Sequence, residues 1–239
     1  MDRAVEPVSA WWVTEYRQPH QGTVELRLGS APLEEALHGF SFIEFYGEWP
    51  TVLRYLHYTL SSNTDARLIY VQLFGGINPY TLTHSDTTLI VRCFDHNTLL
   101  EALNRVGQDE QAGYTLLVAN PYLHAKTPRQ QTEITAHLRS IAQERRVITF
   151  NQETKTHTPK GGYFHASSVH ILIHLETQRR RGRGVRRGIG GWDTLYATLT
   201  KHPAKPSNTH YTLHLDKNPH HNNPKTPTLL NWFQLTRVE

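Results

Sequence analysis

Between Phe42 and Tyr55 the chain reads Phe-Ile-Glu-Phe-Tyr-Gly-Glu-Trp-Pro-Thr-Val-Leu-Arg-Tyr, an apolar strand, a glycine and the opening of a helix. That is the frame on which phosphate-binding loops are built. Such a loop needs several consecutive backbone N–H groups, a Lys for the terminal phosphates and a Ser or Thr hydroxyl for Mg²⁺. Here Gly47 and Glu48 are followed by Trp49 and then Pro50, which has no N–H to donate. No Lys occurs before Lys126. Hydrolysis of a nucleotide would have to draw its groups from elsewhere.

Two other stretches carry cations suited to a polyanion. Gln178 to Gly191 holds Arg179, Arg180, Arg181, Arg183, Arg186 and Arg187 with five Gly and no acid, between two stretches of strand pattern. Arg binds phosphate through two parallel hydrogen bonds and stacks on unpaired bases, while Gly lets the loop follow an irregular backbone. Six like charges in nine residues repel one another without a counter-charge; a merely solvated loop is the alternative. Lys155, His157, Lys160, Gly161 and Gly162 form the second stretch, for which a connecting turn with glycines at positive φ is the competing account.

Sixteen His invite a metal centre. His165, His170 and His174, with His220 and His221, are the spacings to test. On a strand, His170 and His174 would share a face about 13 Å apart, too far for one ion. With one Cys and no quartet at ligand spacing, no metal is expected. Cys93 lies in the apolar run Leu89–Phe94 and reads as a buried thiol in a reducing compartment. Ser167 and Ser168 beside His165 do not make a nucleophile constellation, and Glu34 and Glu35 suit a helix start.

The elements that must position these residues follow from periodicity. Strand patterns run over 23–28, 42–46, 67–73, 88–94, 114–119, 147–150, 169–175, 195–200 and 211–215. Helical stripes run over 32–38, 51–60, 97–106 and 128–145. Thr127, Pro128 and Gln130 give the last of these the clearest start, a cap, a first-turn proline and a capping-box partner. Strands alternating with helices and then a run of strands predict an α/β fold, a mostly parallel sheet flanked by helices with an antiparallel C-terminal extension. The expected organisation is a flexible arm over 1–21 bearing Trp11 and Trp12, a core over 22–216 and a Pro-rich tail over 217–239.

The net charge of +4 over 239 residues hides a split. Residues 1–120 carry 7 basic against 14 acidic residues, a net of −7, and residues 121–239 carry 18 against 7, a net of +11. A basic face for a polyanion and an acidic remainder for a basic partner would both fit. No window approaches the ~18 apolar residues of a membrane span, and no signal peptide opens the chain, so a cytoplasmic protein without a membrane partner is expected.

From Tyr114 onward the signals fall in a particular order. Leu116-Leu117-Val118-Ala119-Asn120 stands where a Walker B strand would, a helix follows, Val147–Gln152 is a strand ending in Asn-Gln, and Pro159-Lys160-Gly161-Gly162 precedes His165. In that order, over roughly residues 22–216, the chain resembles the RecA/RadA recombinase family. Through Tyr196 to Pro206 and the strand at Tyr211 it resembles the archaeal RadB-type paralogs of RadA.

The resemblance implies a RecA-like core with a degenerate nucleotide site. Gly47 and Glu48 match the opening of the P-loop, whose ending is replaced by residues around Thr51 to Arg54. Gln72 stands near the place of the catalytic Glu, and Asn120 in that of the Walker B acid. Lys, Glu and Asp carry charge neutralisation, water activation and metal positioning, and all three are absent. Trp49 and Pro50 complete the altered site, so no cofactor and no ATPase activity are expected. The resemblance further implies a DNA-binding loop at Lys155, Lys160, Gly161 and Gly162, extended by Lys201, His202 and Lys205. It makes Trp11, Trp12 and His165 candidates for contact with a RadA-type recombinase, a sister paralog or a second copy. Three readings stand: a non-catalytic paralog that binds DNA, single-stranded by expectation, and assists recombination or repair; an ATPase with a rebuilt loop; and an architectural subunit that touches no DNA.

Overall fold

In the computed structural model, residues 26–63, 66, 68–73, 88–109, 113–177 and 194–215 are described. Over these the chain runs α1 (Ala31–Leu37), β1 (Phe42–Gly47), α2 (Trp49–Ser62), β2 (Leu68–Leu73), β3 (Thr88–Cys93), α3 (His96–Gln108), β4 (Thr115–Ala119), α4 (Pro128–Ala142), β5 (Val147–Gln152), α5 (Gly162–Ser168), β6 (Ile171–Thr177), β7 (Thr194–Lys201) and β8 (Thr209–His214). The capping box expected for α4 is present, Thr127 and Gln130 each bonding the other's backbone N–H at 3.2 Å. A second box, Asp95 with Thr98, opens α3.

The strands form one sheet in the order β3-β2-β4-β5-β1-β6-β7-β8. Pairing is parallel from β3 through β6 and antiparallel for β6–β7 and β7–β8. This is the mixed α/β architecture expected. β1 lies between β5 and β6, covered on both faces, as its near-continuous apolar run requires.

Side-chain alternation divides the core in two. Ile43, Phe45, Ile148 and Phe150 join Leu33 of α1 and Val52, Tyr55 and Leu56 of α2 on one face. Phe42, Leu116, Val118 and Val147 join Leu99 and Leu103 of α3 and Ile134 and Leu138 of α4 on the other.

Two expectations are corrected. The strand read over 23–28 is not one across 26–28, because side chains take its backbone groups. Arg27 N–H donates to Asn63 Oδ1 at 2.7 Å, Leu28 N–H donates to Glu34, and Tyr55 Oη donates to the Leu28 carbonyl at 2.8 Å. His170 precedes β6 rather than lying on it with His174.

His170 yields a pH prediction. Its Nδ1 accepts the Phe42 N–H at 3.2 Å, which requires an unprotonated nitrogen. Burial, then Lys201 and Arg139, hold the imidazole below its ordinary value. A folded-state pKa below the unfolded one contributes stability that is fully present above the unfolded value of about 6.5 and is lost as pH falls through the folded value. The thermal midpoint should therefore drop between about pH 7.5 and about pH 5.5. His170→Asn, which keeps an acceptor for Phe42, should flatten that drop; an unchanged slope places the linkage elsewhere.

Candidate functional site: the carboxyl edge of the parallel strands

Parallel register brings the C-terminal ends of β2, β4, β5 and β1 into line. Gln72 pairs with Ala119, Ala119 with Phe150, Tyr46 with Asn151 and Gly47 with Gln152. In open α/β sheets ligands bind outside this edge. Here the edge carries amides: Gln72 is buried and accepts from Tyr70 Oη at 3.1 Å, and Asn120 is buried with φ 49° and its amide N–H on the Phe150 carbonyl at 2.6 Å. Asn120 Oδ1 and Asn151 Oδ1 are buried without a protein partner among the described residues.

Between Gly47, the last residue of β1, and Trp49, the first of α2, stands one residue, Glu48. The amides of Thr51 and Val52 both turn back to the Glu48 carbonyl, at 2.9 and 3.1 Å, and Pro50 has none. Gly47 has a reason independent of any phosphate: a Cβ there would lie 2.5 Å from the Leu175 carbonyl oxygen of β6. Beside it, Glu153 donates its N–H to the Gly47 carbonyl at 2.9 Å. Glu153 Oε2 faces His174 Nε2 at 2.9 Å and His157 Nδ1 at 3.2 Å, and Glu176 faces His174 Nδ1 at 3.2 Å. Burial raises the Tyr46 pKa, the Thr200 hydrogen bond opposes this, and Glu44, Glu153 and Glu176 add to it. The field at the end of β1 is that of carboxylates and imidazoles. No group of His, Cys, Asp and Glu able to hold a metal occurs among the described residues.

Behind this edge lies a polar network that the sequence did not announce. Glu44, in the middle of β1, is fully buried, and its carboxylate meets His165 Nε2 of α5 in a close contact. Thr149 Oγ1 donates to Glu44 Oε2 at 2.9 Å, and Asn151 Nδ2 reaches Oε1 at 3.4 Å while donating to the Lys160 carbonyl at 2.8 Å. On its other side His165 Nδ1 meets Tyr122 Oη at 2.6 Å, which meets Thr135 Oγ1 at 2.7 Å. Thr135 donates to the Gln131 carbonyl at 2.8 Å. With that hydroxyl proton engaged, Tyr122 donates to Thr135 and accepts from His165, so both ring nitrogens of His165 serve as donors. Burial and Glu44 raise the Tyr122 pKa well above its ordinary value, with Thr135 opposing, which keeps the phenol a donor. The available signal was Glu44 itself, since a carboxylate flanked by Phe42, Ile43, Phe45 and Tyr46 must find partners inside.

His165 is therefore enclosed by its own chain, and the expected contact of this side chain with a partner is corrected. Lys201, expected on the DNA-binding surface, is corrected too. Its ammonium donates to the carbonyls of Ala166 and Ser167, each at 2.9 Å, and of Val169, closing the C-terminal end of α5, and burial lowers its pKa. Lys160 donates to Gln152 Oε1 at 2.8 Å, also with its pKa lowered by burial, while Lys155 is exposed and Lys205 half-buried. Gly161 and Gly162 have the positive φ expected, 103° and 72°. A Cβ on Gly161 would meet the Tyr122 ring at 2.6 Å. Helix α5 was not expected, and it displays Tyr163 and Phe164, which sequence reasoning passed over.

Residues 178–193 join Thr177 to Thr194, the neighbouring ends of the antiparallel pair β6–β7. Arg179, Arg180, Arg181, Arg183, Arg186 and Arg187 lie outside the described residues, as do Trp11 and Trp12. The ends of that Arg/Gly segment are rooted just past Leu175, which pairs with Gly47, on the edge that also carries Lys155. Among the described residues no helix is long and apolar enough to cross a membrane.

No protein-family model matches the chain, and no curated protein matches it. Solved structures do. The RadB recombinase crystal structure aligns with a TM-score of 0.60 at 14% identity, covering 79% of this chain and 95% of that one. The ATPase domain of a RecA-like helicase aligns with a TM-score of 0.56 at 11% identity, covering 81% of this chain and 88% of that one. The fold is RecA-like, of the kind seen in RadB.

Proposed function

We propose, from the RecA-like fold that this chain shares with the RadB recombinase structure, that it is a non-catalytic recombinase paralog which binds DNA, single-stranded by preference, and assists recombination or repair through protein partners. The observation that carries the reading is the single residue between β1 and α2. A phosphate cradle needs a run of free amides and a cation. This turn holds Glu48, a proline and two amides already bonded, with Glu153 and Glu176 nearby. Gln72 and Asn120, at the places of the catalytic and metal-holding acids, supply no carboxylate. DNA binding rests on the cationic segments 155–162 and 179–187, rooted at one sheet edge and attached to a core that supplies rigidity.

Partner capture rests on the resemblance: Trp11 or Trp12 inserts into the core of a recombinase, a sister paralog or a second copy. The acidic half of the chain offers such a partner a complementary charge.

Calorimetry with Mg²⁺ and ATP tests the nucleotide site directly. The expected outcome is no saturable heat up to millimolar ATP. Saturable micromolar binding that requires Mg²⁺ would instead select the ATPase with a rebuilt loop.

A further inference from the structure

Tyr163 is 90% exposed and Phe164 41%, adjacent on α5, and Leu123, next to the buried Tyr122, is also exposed. Isolated apolar residues on a surface mean little, but this group sits on a rigid mount. His165 anchors the inner side of α5 to Glu44 and Tyr122. Lys201 closes its C-terminal end, Ser167 and Ser168 hydroxyls bond the Phe164 carbonyl at 2.9 and 2.8 Å, and Gly161 packs on the Tyr122 ring. The aromatic pair is held out by a helix that has little freedom to fold it away. From Thr154 to His170 the chain has Lys155 and Lys160 and no carboxylate, so the aromatics are set in a cationic surround. An acidic or neutral protein surface would use the charge without needing two uncovered rings. Flat aromatic faces beside cations match unpaired bases on a phosphodiester backbone.

We infer that Tyr163, with Phe164 beside it, is a stacking platform for unpaired DNA bases, so that this face selects single-stranded over paired DNA. The inference rests on the DNA-binding reading above and specifies the contact within it. Preorganisation is the physical advantage: the ring is already immobilised, so stacking loses little side-chain entropy on binding.

The test uses the full chain with a thirty-residue oligodeoxythymidine and an abasic phosphodiester strand of equal length. The wild type should prefer the base-bearing strand by about tenfold, the effect of one well-stacked base. Tyr163→Ala should remove that preference without altering the salt dependence, because no cation is lost, whereas Tyr163→Trp should retain it. An oligonucleotide carrying iodouracil should crosslink to Tyr163 or Phe164. Equal affinity for the two strands, or a Tyr163→Ala variant that keeps the preference, overturns the stacking platform while leaving DNA binding intact. A Tyr163→Ala variant that loses self-association in sedimentation but binds both strands as before overturns it too, and assigns the patch to a second copy. Failure of the wild type to bind either strand overturns the DNA reading itself and this inference with it.

Discussion

Replacing Glu44 by leucine should lower the thermal midpoint by on the order of 10 °C. The change removes the one carboxylate that faces His165, Thr149 and Asn151, all within a sealed core. Breaking a buried ionic or hydrogen-bonded pair from one side costs about 3–5 kcal/mol, because the abandoned partner keeps its desolvation penalty and loses its compensation. For a chain of this size each kcal/mol moves the midpoint by about 2–4 °C. The penalty belongs to the stranded imidazole rather than to the lost attraction alone. Glu44→Leu combined with His165→Leu should therefore recover part of the loss, with a coupling in the double-mutant cycle above about 1 kcal/mol. A shift under about 2 °C for Glu44→Leu, by calorimetric melting, would show that the network contributes nothing to the fold.

The Arg/Gly segment should dominate the salt dependence of DNA binding. Each Arg–phosphate contact on a single strand releases condensed counterion and contributes about −0.7 to the slope of log affinity against log salt, so four contacts contribute about −3. Changing Arg179, Arg180, Arg181 and Arg183 to Ala should flatten the slope by up to that amount. If the contribution vanishes near about 1 M salt, the loss at about 0.1 M is on the order of several hundredfold. Fluorescence anisotropy over a salt series measures both quantities. Unchanged slope and affinity would remove the segment from the DNA surface and favour an architectural subunit.

Lys201 shows why the cationic surface could be read from sequence only in part. Lys155 and Lys201 look alike as letters, yet one is exposed and the other caps α5 through three carbonyls. The difference arises because β7 runs beside β6 and carries Lys201 to the end of a helix that precedes β6 by a short turn. Helix α5 itself escaped notice because it has seven residues, begins with a glycine and buries one side chain, His165, too little for a periodic stripe. The strand pattern over 23–28 misled for the opposite reason. Its alternation is real, but Asn63, Glu34 and Tyr55 offer its backbone other partners.

Linear reading was sufficient for the order and kind of most elements, the cap of α4, the burial of Cys93, the absence of a Lys before Lys126 and the division of charge between the halves. Each of these is local or compositional: periodicity, capping and turn chemistry act within a few residues, and charge sums need no coordinates. The partners of Glu44, the enclosure of His165, the engagement of Lys201 and the display of Tyr163 emerged with the folded chain alone. Those depend on groups far apart along the chain, with Glu44 and His165 separated by 121 residues. They meet because β1 lies in parallel register between β5 and β6, so that inward positions of three strands and the helix above them coincide at one level. Register is a property of the assembled sheet, and a side chain's role at this edge follows from it.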